Sequence, residues 1–434
     1  EDSMKRFLVI IAVIALVGGV FFAAGAKEKA AEPKVLRVWD IYPEGTPFRG
    51  VLDGAIGRFK ANYPDYEVEI ISYGDMSNYK TKFATMMAAG AKDADVFQTW
   101  GGGQLAMYAD KGLVMDLTPS MKSEGWINRF SPAALTFVSS NDKVWGVPVE
   151  LANVLIYYNT EIFAKYNLAV PTTFDDLLKV CRVLKNNGVI PMVLALNKAE
   201  WVGDLYYQYL VTRLGGLEPF KKAIAREPGG SFNDPVFVEA GKLLQQMVAE
   251  GCFQEGFLGA EYASMRQIFT QEKAAMMLMG SWLPGQIASE AAHMYDKVDF
   301  FNFPAIKGGK GQITDIVGGT NAAFAVSSAT KYPEAAKALA KEFSSEATAI
   351  DVLQIAKRLP ATNFSYDKVS LDDLTIRVIE AAGKATNIQL YYDQSSTPNL
   401  AQVHLESISA LYAGLITPAQ KAAEWEKAAV QELE

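Results

Sequence analysis

From residue 34 onward the chain switches repeatedly between two hydrophobic periods. Short stretches alternate apolar and polar positions, as a strand does; longer ones repeat apolar residues every three or four positions, as a helix does. "KVLRVWDIY" (34–42), "YEVEIISYG" (66–74) and "ADVFQTW" (94–100) are of the first kind. "FRGVLDGAIGRFKANYP", "NYKTKFATMMAAGA" and "QLAMYADKG" are of the second, the first stopped by Pro64 and the last by Gly112. This β-α-β-α-β order predicts a mostly parallel sheet with helices on both faces.

The pattern then changes. "KVWGVPVELANVLIYYN" (143–159) is extended without a helical period and reads as a crossover into a second unit. In "PTTFDDLLKVCRVLKNNG", Thr173 is the expected N-cap, with Asp176 three positions on. Phe174, Leu177, Leu178, Cys181 and Leu184 form the apolar stripe of that helix. "VIPMVLAL" reads as a strand, and helical patterns dominate 201–251 and 261–272. "AAMMLMGSWLPGQI" (274–287) reads as a buried strand that breaks at Gly280-Ser281 and presents Trp282. "GTNAAFAVS" is a late strand, followed by a helix with Pro333 in its first turn and by a helical tail. A strand-rich piece after a helical middle predicts that the chain returns to its first unit and then crosses again.

The 434 residues exceed one ordinary core and imply two domains. The formal charge of −8 argues against nucleic acid and anionic lipid as partners. Two histidines, His293 and His404, and two cysteines, Cys181 and Cys252, leave little for zinc, haem or iron–sulfur chemistry. No metal or cofactor is expected. The cysteines fall in or beside helical patterns and read as buried thiols, with pairing left open. Lys5-Arg6, the apolar run "FLVIIAVIALVGGVFFAA" and Ala24-Gly25-Ala26 read as a cleavable secretory leader over residues 1–26. The run is also long enough for a membrane anchor, but Gly18, Gly19 and the small-x-small site favour cleavage. No cysteine stands near that site to carry a lipid. A periplasmic monomer is expected.

Several stretches resemble the extracellular solute-binding proteins that feed sugars to ABC importers, the relatives of maltose-binding protein. They include "ADVFQTWGGGQLAMYADKGLVMDLTP", "GVPVELANVLIYYNTEIFAKYNLAVPTTFDDLLKVC", "FTQEKAAMMLMGSW" and "LYAGLITPAQKAAEWEKA", in the same order along most of the chain. The resemblance implies a two-lobed α/β fold of the periplasmic-binding-protein type II, with ligand in the cleft between lobes joined by crossing strands. The expected lobes are 34–146 with 304–358, and 147–303 with 359–434. It also implies a membrane permease as partner and places Trp282, Tyr391 and Asp393 in the cleft, the last two as an aromatic-x-Asp element on one side of an extended stretch.

The residues suggest further candidates. Sugar rings pack their C–H faces on aromatic rings, and their hydroxyls pair best with charged acceptors. Ligands of α/β sheets collect at the carboxyl ends of strands, where Asp40 and Trp100 fall. Gly101 and its two following glycines would let backbone approach a ligand closely. Glu150 and Asn153 lie on the crossover. Trp201 follows the loop "NKAE", and Gly319-Thr320 offer backbone amides. Tyr79 is a further candidate. Each has a structural alternative: a core plug for the tryptophans, a cap for Asp40, hinge bonding for Glu150 and Asn153.

A carbohydrate receptor is therefore the expected function. Two rivals remain: a receptor for another solute such as glycerol 3-phosphate, and a secreted glycosidase, which needs two positioned carboxylates. The chain shows no G-x-S-x-G elbow and no H-E-x-x-H. "KGGKGQ" (307–312) lacks the K-[ST] ending of a phosphate-binding loop.

Overall fold

The computed structural model describes residues 34–363, 365–366 and 369–433. The expected leader lies outside them. Ten strands join in one hydrogen-bonded system: β1 (Lys34–Asp40), β2 (Tyr66–Ser72), β3 (Val96–Thr99), β4 (Val147–Asn159), β5 (Ile190–Met192), β6 (Ala274–Gly280), β7 (Val298–Phe301), β8 (Ile316–Val326), β9 (Leu359–Pro360) and β10 (Ile388–Gln389). The main path runs β2-β1-β3-β8-β4-β6-β5. β1 pairs in parallel with β2 and β3, whereas β8 is antiparallel to both β3 and β4.

Two buried cores divide this system. One gathers residues 36–149 and 322–356; the other gathers 152–303 with 317, 359 and 374–429. β4 belongs to both, because its first half pairs with β8 and β9 and its second half with β6 and β7. β8 crosses back beside it. The expected α/β architecture of two lobes joined by crossing strands is thus the one observed. The return comes later than expected at residue 304: Phe303, Ile306 and Val317 still pack on the second core, so the chain changes lobe along β8 itself.

The helices follow the sequence periods closely. The first lobe uses α1 (Pro47–Asn62), α2 (Met76–Ala88) and α3 (Gly102–Asp110). The second uses α4 (Phe174–Asn186), α5 (Glu200–Gly215), α6 (Pro235–Ala249) and α7 (Leu283–Glu290). α8 (Pro333–Glu342) and α9 (Glu346–Gln354) return to the first core. α10 (Tyr392–Ser395), α11 (Pro398–Tyr412) and α12 (Pro418–Leu433) complete the second.

Capping explains several boundaries. Thr173 accepts from the Asp176 amide at 3.2 Å, and the whole predicted stripe of α4 is buried. All seven residues of β6 are buried, as its run of small and methionine side chains requires. "VIPMVLAL" yields only the short β5, which joins the edge of the second sheet beside β6. Cys181 and Cys252 are free thiols, both fully buried.

Candidate functional site

A cavity of about 430 Å³ opens between the lobes, within the usual range for small-molecule sites. Helical faces form two of its walls. α2 contributes Met76, Ser77, Lys80, Thr81 and Ala84, and α11 contributes Pro398, Ala401, Gln402, Leu405 and Glu406. Both sets recur at helical spacing. The end of β3 supplies Gln98, Thr99 and Trp100 from the first lobe. Lys198, Glu200 and Trp201, at the start of α5, supply the facing part of the second. One indole therefore stands on each lobe's side.

Trp100 is buried behind the cavity surface, and Tyr79 meets its ring edge-on with centroids 5.7 Å apart. Tyr79 is fully buried, and its hydroxyl donates to the Gln98 carbonyl at 2.5 Å. It braces Trp100 rather than lining the cavity. Trp201 is half-buried and packs against Tyr262 (5.3 Å) and Trp282 (6.1 Å). Trp282 Nε1 donates to the Tyr262 hydroxyl at 3.0 Å, which in turn donates to Gln286 at 2.8 Å.

Trp282 takes its position from Gly280. Its six-membered ring lies so close over the Gly280 Cα that a Cβ there would come within 3.0 Å of three ring atoms. The space beside the glycine is filled by the tryptophan's own ring and is not room for a ligand. Trp282 backs Trp201 and does not line the cavity.

The glycines after Trp100 serve a similar purpose. They were expected to admit a ligand; they admit backbone instead. A Cβ on Gly101 would strike the Phe137 carbonyl, and Cβ atoms on Gly102 and Gly103 would strike the carbonyls of Gln394 and Ser395. The N-terminus of α3 thereby seats directly on α10 of the other lobe. Gly319 sits in the β8–β4 ladder opposite Ala152, so its backbone is committed to the sheet.

Several buried polar side-chain atoms lack a hydrogen-bond partner among the described residues. They include both amide atoms of Asn153 on β4, the Thr320 hydroxyl on β8 and the Tyr391 hydroxyl just before α10, while Asp40, at the end of β1, lies beside the Ser72 hydroxyl. Buried polar groups are normally paired, and none of these residues lines the cavity described above. Asp40 Oδ1 accepts the Tyr42 amide at 2.9 Å, while burial pushes its carboxyl up to about 6.

Glu150 is different. It is fully buried and paired with Arg358 at 2.8 Å, and it also accepts from Asn321 at 2.9 Å. Its carboxylate is committed to fixing β4 against β9. Burial still raises its pKa, against the pull of Arg358.

Tyr391 and Asp393 were expected on one side of an extended stretch. The chain instead makes a single helical turn there, closed by Ser396 Oγ donating to the Tyr392 carbonyl at 2.8 Å. The turn drives Tyr392 into the second core, stacked on Phe220 at 3.8 Å. Asp393 pairs with Lys80 across the lobes at 2.9 Å.

A buried network holds the second wall. His404 on α11 lies 2.7 Å from Asp204 on α5, and Lys421 Nζ on α12 lies 3.0 Å from His404 Nδ1. Burial pushes Asp204 up to about 7 and both His404 and Lys421 down. No cluster of three or more metal-ligating side chains occurs among the described residues.

Sequence reasoning missed Lys80, Gln98, Gln104, Gln402 and Glu406. Gln98 had a signal: a polar residue inside the apolar strand "VFQT" just before Trp100. The polar faces of α2 and α11 had none, since a cavity wall and a solvated face share one period.

Known proteins place these observations. A multiple sugar-binding protein of Streptococcus mutans is 26% identical over 339 residues, covering 76% of this chain and 77% of its own. An uncharacterized ABC transporter extracellular-binding protein of Pyrococcus horikoshii is 27% identical over 339 residues, covering 76% and 72%. A solved structure from work on xylan utilization by the thermophilic bacterium Caldanaerobius polysaccharolyticus superimposes with a TM-score of 0.84 at 29% identity, covering 91% of this chain and 99% of that one. The profile of the bacterial extracellular solute-binding proteins matches residues 42–350, and the chain belongs to that family.

Proposed function

We propose that this protein captures a neutral sugar or oligosaccharide in the cleft between its lobes and delivers it to the permease of an ABC importer. The observation that carries this reading is the cavity between the lobes, with Trp100 on one side and Trp201 on the other. The rings suit the apolar faces of pyranoses, and the polar lining side chains Lys80, Gln98, Gln104, Gln402 and Glu406 suit hydroxyls. Micromolar capture needs roughly 8 kcal/mol. A few charge-assisted bonds at about 1.5–3 kcal/mol each, with stacking, exceed this and leave a surplus for ordering the lobes. The multiple sugar-binding relative agrees with this ligand class.

The working site is outside the cytoplasm, as the family description implies. The finer placement is a periplasmic monomer released from the leader at 1–26. The lobes close about β4 and β8, and the closed form docks on the permease. Hinge closure of this kind is general in periplasmic binding proteins. Proteins of this family bind and carry solutes, and no catalytic role is assigned.

The test is a tryptophan-fluorescence titration of the chain from Lys27 with mono- and oligosaccharides, and with glycerol 3-phosphate as the anionic control. A saturable shift with one saccharide, weakened in Trp201→Ala, supports the reading. A response to the phosphate alone replaces it with an anion receptor.

A further inference from the structure

Lys80 is the one cavity-lining residue whose side chain also forms an ion pair between the two lobes among the described residues. Its helix, α2, is rooted in the first core through Tyr79, Phe83, Met86 and Met87. Its partner Asp393 sits on α10, which is rooted in the second core through Tyr391 and Tyr392. The Lys80 ammonium lies 2.9 Å from Asp393 Oδ2 and 5.5 Å from the centre of the Trp100 ring. The same Asp393 oxygen accepts from Gln394 Nε2 at 2.7 Å. Asp393 is nearly inaccessible, whereas Lys80 keeps about a quarter of its side chain exposed, toward the cavity that it lines.

This geometry gives the ammonium two tasks. An ammonium carries three donors, and Asp393 takes one. The cavity side is open to an acceptor such as a sugar hydroxyl or ring oxygen. The position of that donor depends on a residue of the other lobe. When the lobes part, Lys80 loses the carboxylate that holds it over Trp100 and becomes a solvated, mobile side chain. The pair is half-shielded from water, so it is stronger than a surface bridge.

We propose, building on the carbohydrate reading above, that Lys80 contacts the ligand and that Asp393 positions it only when the lobes are closed. The Lys80–Asp393 pair thereby couples lobe closure to affinity. Asp393 in this scheme is a positioning residue, acting through Lys80.

The experiment is a double-mutant cycle with Lys80→Met, Asp393→Asn and the double variant. Both substitutions keep shape, and the amide oxygen introduced by Asp393→Asn can still accept from Gln394. Affinity is measured by calorimetry with the saccharide that saturates the wild type, and compactness without ligand by small-angle X-ray scattering. Each single variant is expected to bind roughly 10- to 100-fold more weakly. The double variant is expected to bind no worse than the weaker single, because the second change removes nothing more. Each is also expected to scatter as a more extended particle than the wild type, with unchanged far-UV circular dichroism. Additive losses, wild-type affinity in either single variant, or unchanged scattering overturn the proposal. If no saccharide binds the wild type, the carbohydrate reading fails, and the scattering still decides whether the pair holds the lobes together.

Discussion

Replacing Gly280 by alanine tests how the aromatic wall is built. The backbone at Gly280 is not in the left-handed region, so alanine meets no conformational barrier. The obstacle is steric. Its methyl would lie within 3.0 Å of three atoms of the Trp282 ring. An indole is rigid and cannot bend away as a lysine end would; it must swing as a whole. The swing breaks the Nε1 bond to Tyr262 (3.0 Å) and the contact with Trp201 (6.1 Å). The bond contributes about 0.5–1.5 kcal/mol and the ring contact about 0.5–1.5 kcal/mol. Repacking a filled core costs about 1–3 kcal/mol more. The lower entropy of the unfolded alanine chain returns about 0.4–1 kcal/mol. The expected net loss is about 1–6 kcal/mol by these terms together.

Urea unfolding followed by far-UV circular dichroism reads the loss, and near-UV dichroism reads the displaced indole. Trp282→Leu removes the rigid ring and should absorb the clash. The double variant is then expected to lose less than the sum of the singles. A Gly280→Ala protein within about 0.5 kcal/mol of wild type, the usual span of harmless surface changes, refutes the reasoning. So does strict additivity with Trp282→Leu.

Three further outcomes follow from the site. Trp201→Ala is expected to weaken saccharide binding by roughly 2- to 12-fold from lost stacking alone; calorimetry showing unchanged affinity would remove the ring from the wall. Asp40 titrates near 6 because burial disfavours its charge, and a ligand hydroxyl placed on its carboxylate, as the sequence suggests, would favour the charged form. Affinity is therefore expected to climb as pH rises through about 6 and then level off, with Asp40→Asn flat across the range; a falling profile contradicts this. In the unliganded protein the sign reverses. The folded carboxyl holds its proton more tightly than the unfolded one, so the associated stability is present below the ordinary value of 3.8 and is lost as pH rises to about 6. Glu150→Ala leaves Arg358 buried and unpaired and should cost about 3–5 kcal/mol in urea unfolding. Glu150→Gln with Arg358→Met should cost less than Glu150→Ala, and a Glu150→Ala loss below about 1 kcal/mol would mean that water reaches the pair.

The fold was largely legible because its elements announce themselves by period. α4 shows this best: cap, acidic first turn and apolar stripe all agree before any packing is known. β6 and β8 read correctly for the opposite reason, since continuous apolar runs without helical length suit strands buried on both faces. The turn at Tyr392–Ser395 was misread because four residues carry no period. Its conformation is set from outside, by the fit of Tyr392 between Phe220 and Trp425 in the second core. The return crossing was misplaced for a related reason. The segment after Phe303 is irregular, and Arg213 ties it to the second lobe by donating to the carbonyls of Phe303, Ile313 and Asp315. No local pattern announces bonds made to backbone by an arginine so far back in the chain.

The site was only half legible, and the division follows what each residue is already bonded to. A tryptophan beside glycine looks like a platform with space above it, but sequence cannot say what fills that space. At Gly280 it is the neighbouring indole, and at Gly102 and Gly103 it is the other lobe's backbone. Glu150 and Asn153 stood equal as candidates three positions apart on one strand. Glu150 proves saturated by Arg358 and Asn321, while both amide atoms of Asn153 lack a partner among the described residues. A buried polar atom left without any partner costs about 1–3 kcal/mol, and Asn153 and Thr320 on the crossing strands and Tyr391 before α10 have none among the described residues. The two large cores on either side can tolerate such a cost, and a hydroxylated ligand that reached these atoms would remove it. On this account part of the affinity would come from pairing these atoms. Binding should therefore stabilise the chain against urea more in wild type than in Asn153→Leu, whose side chain asks for no partner.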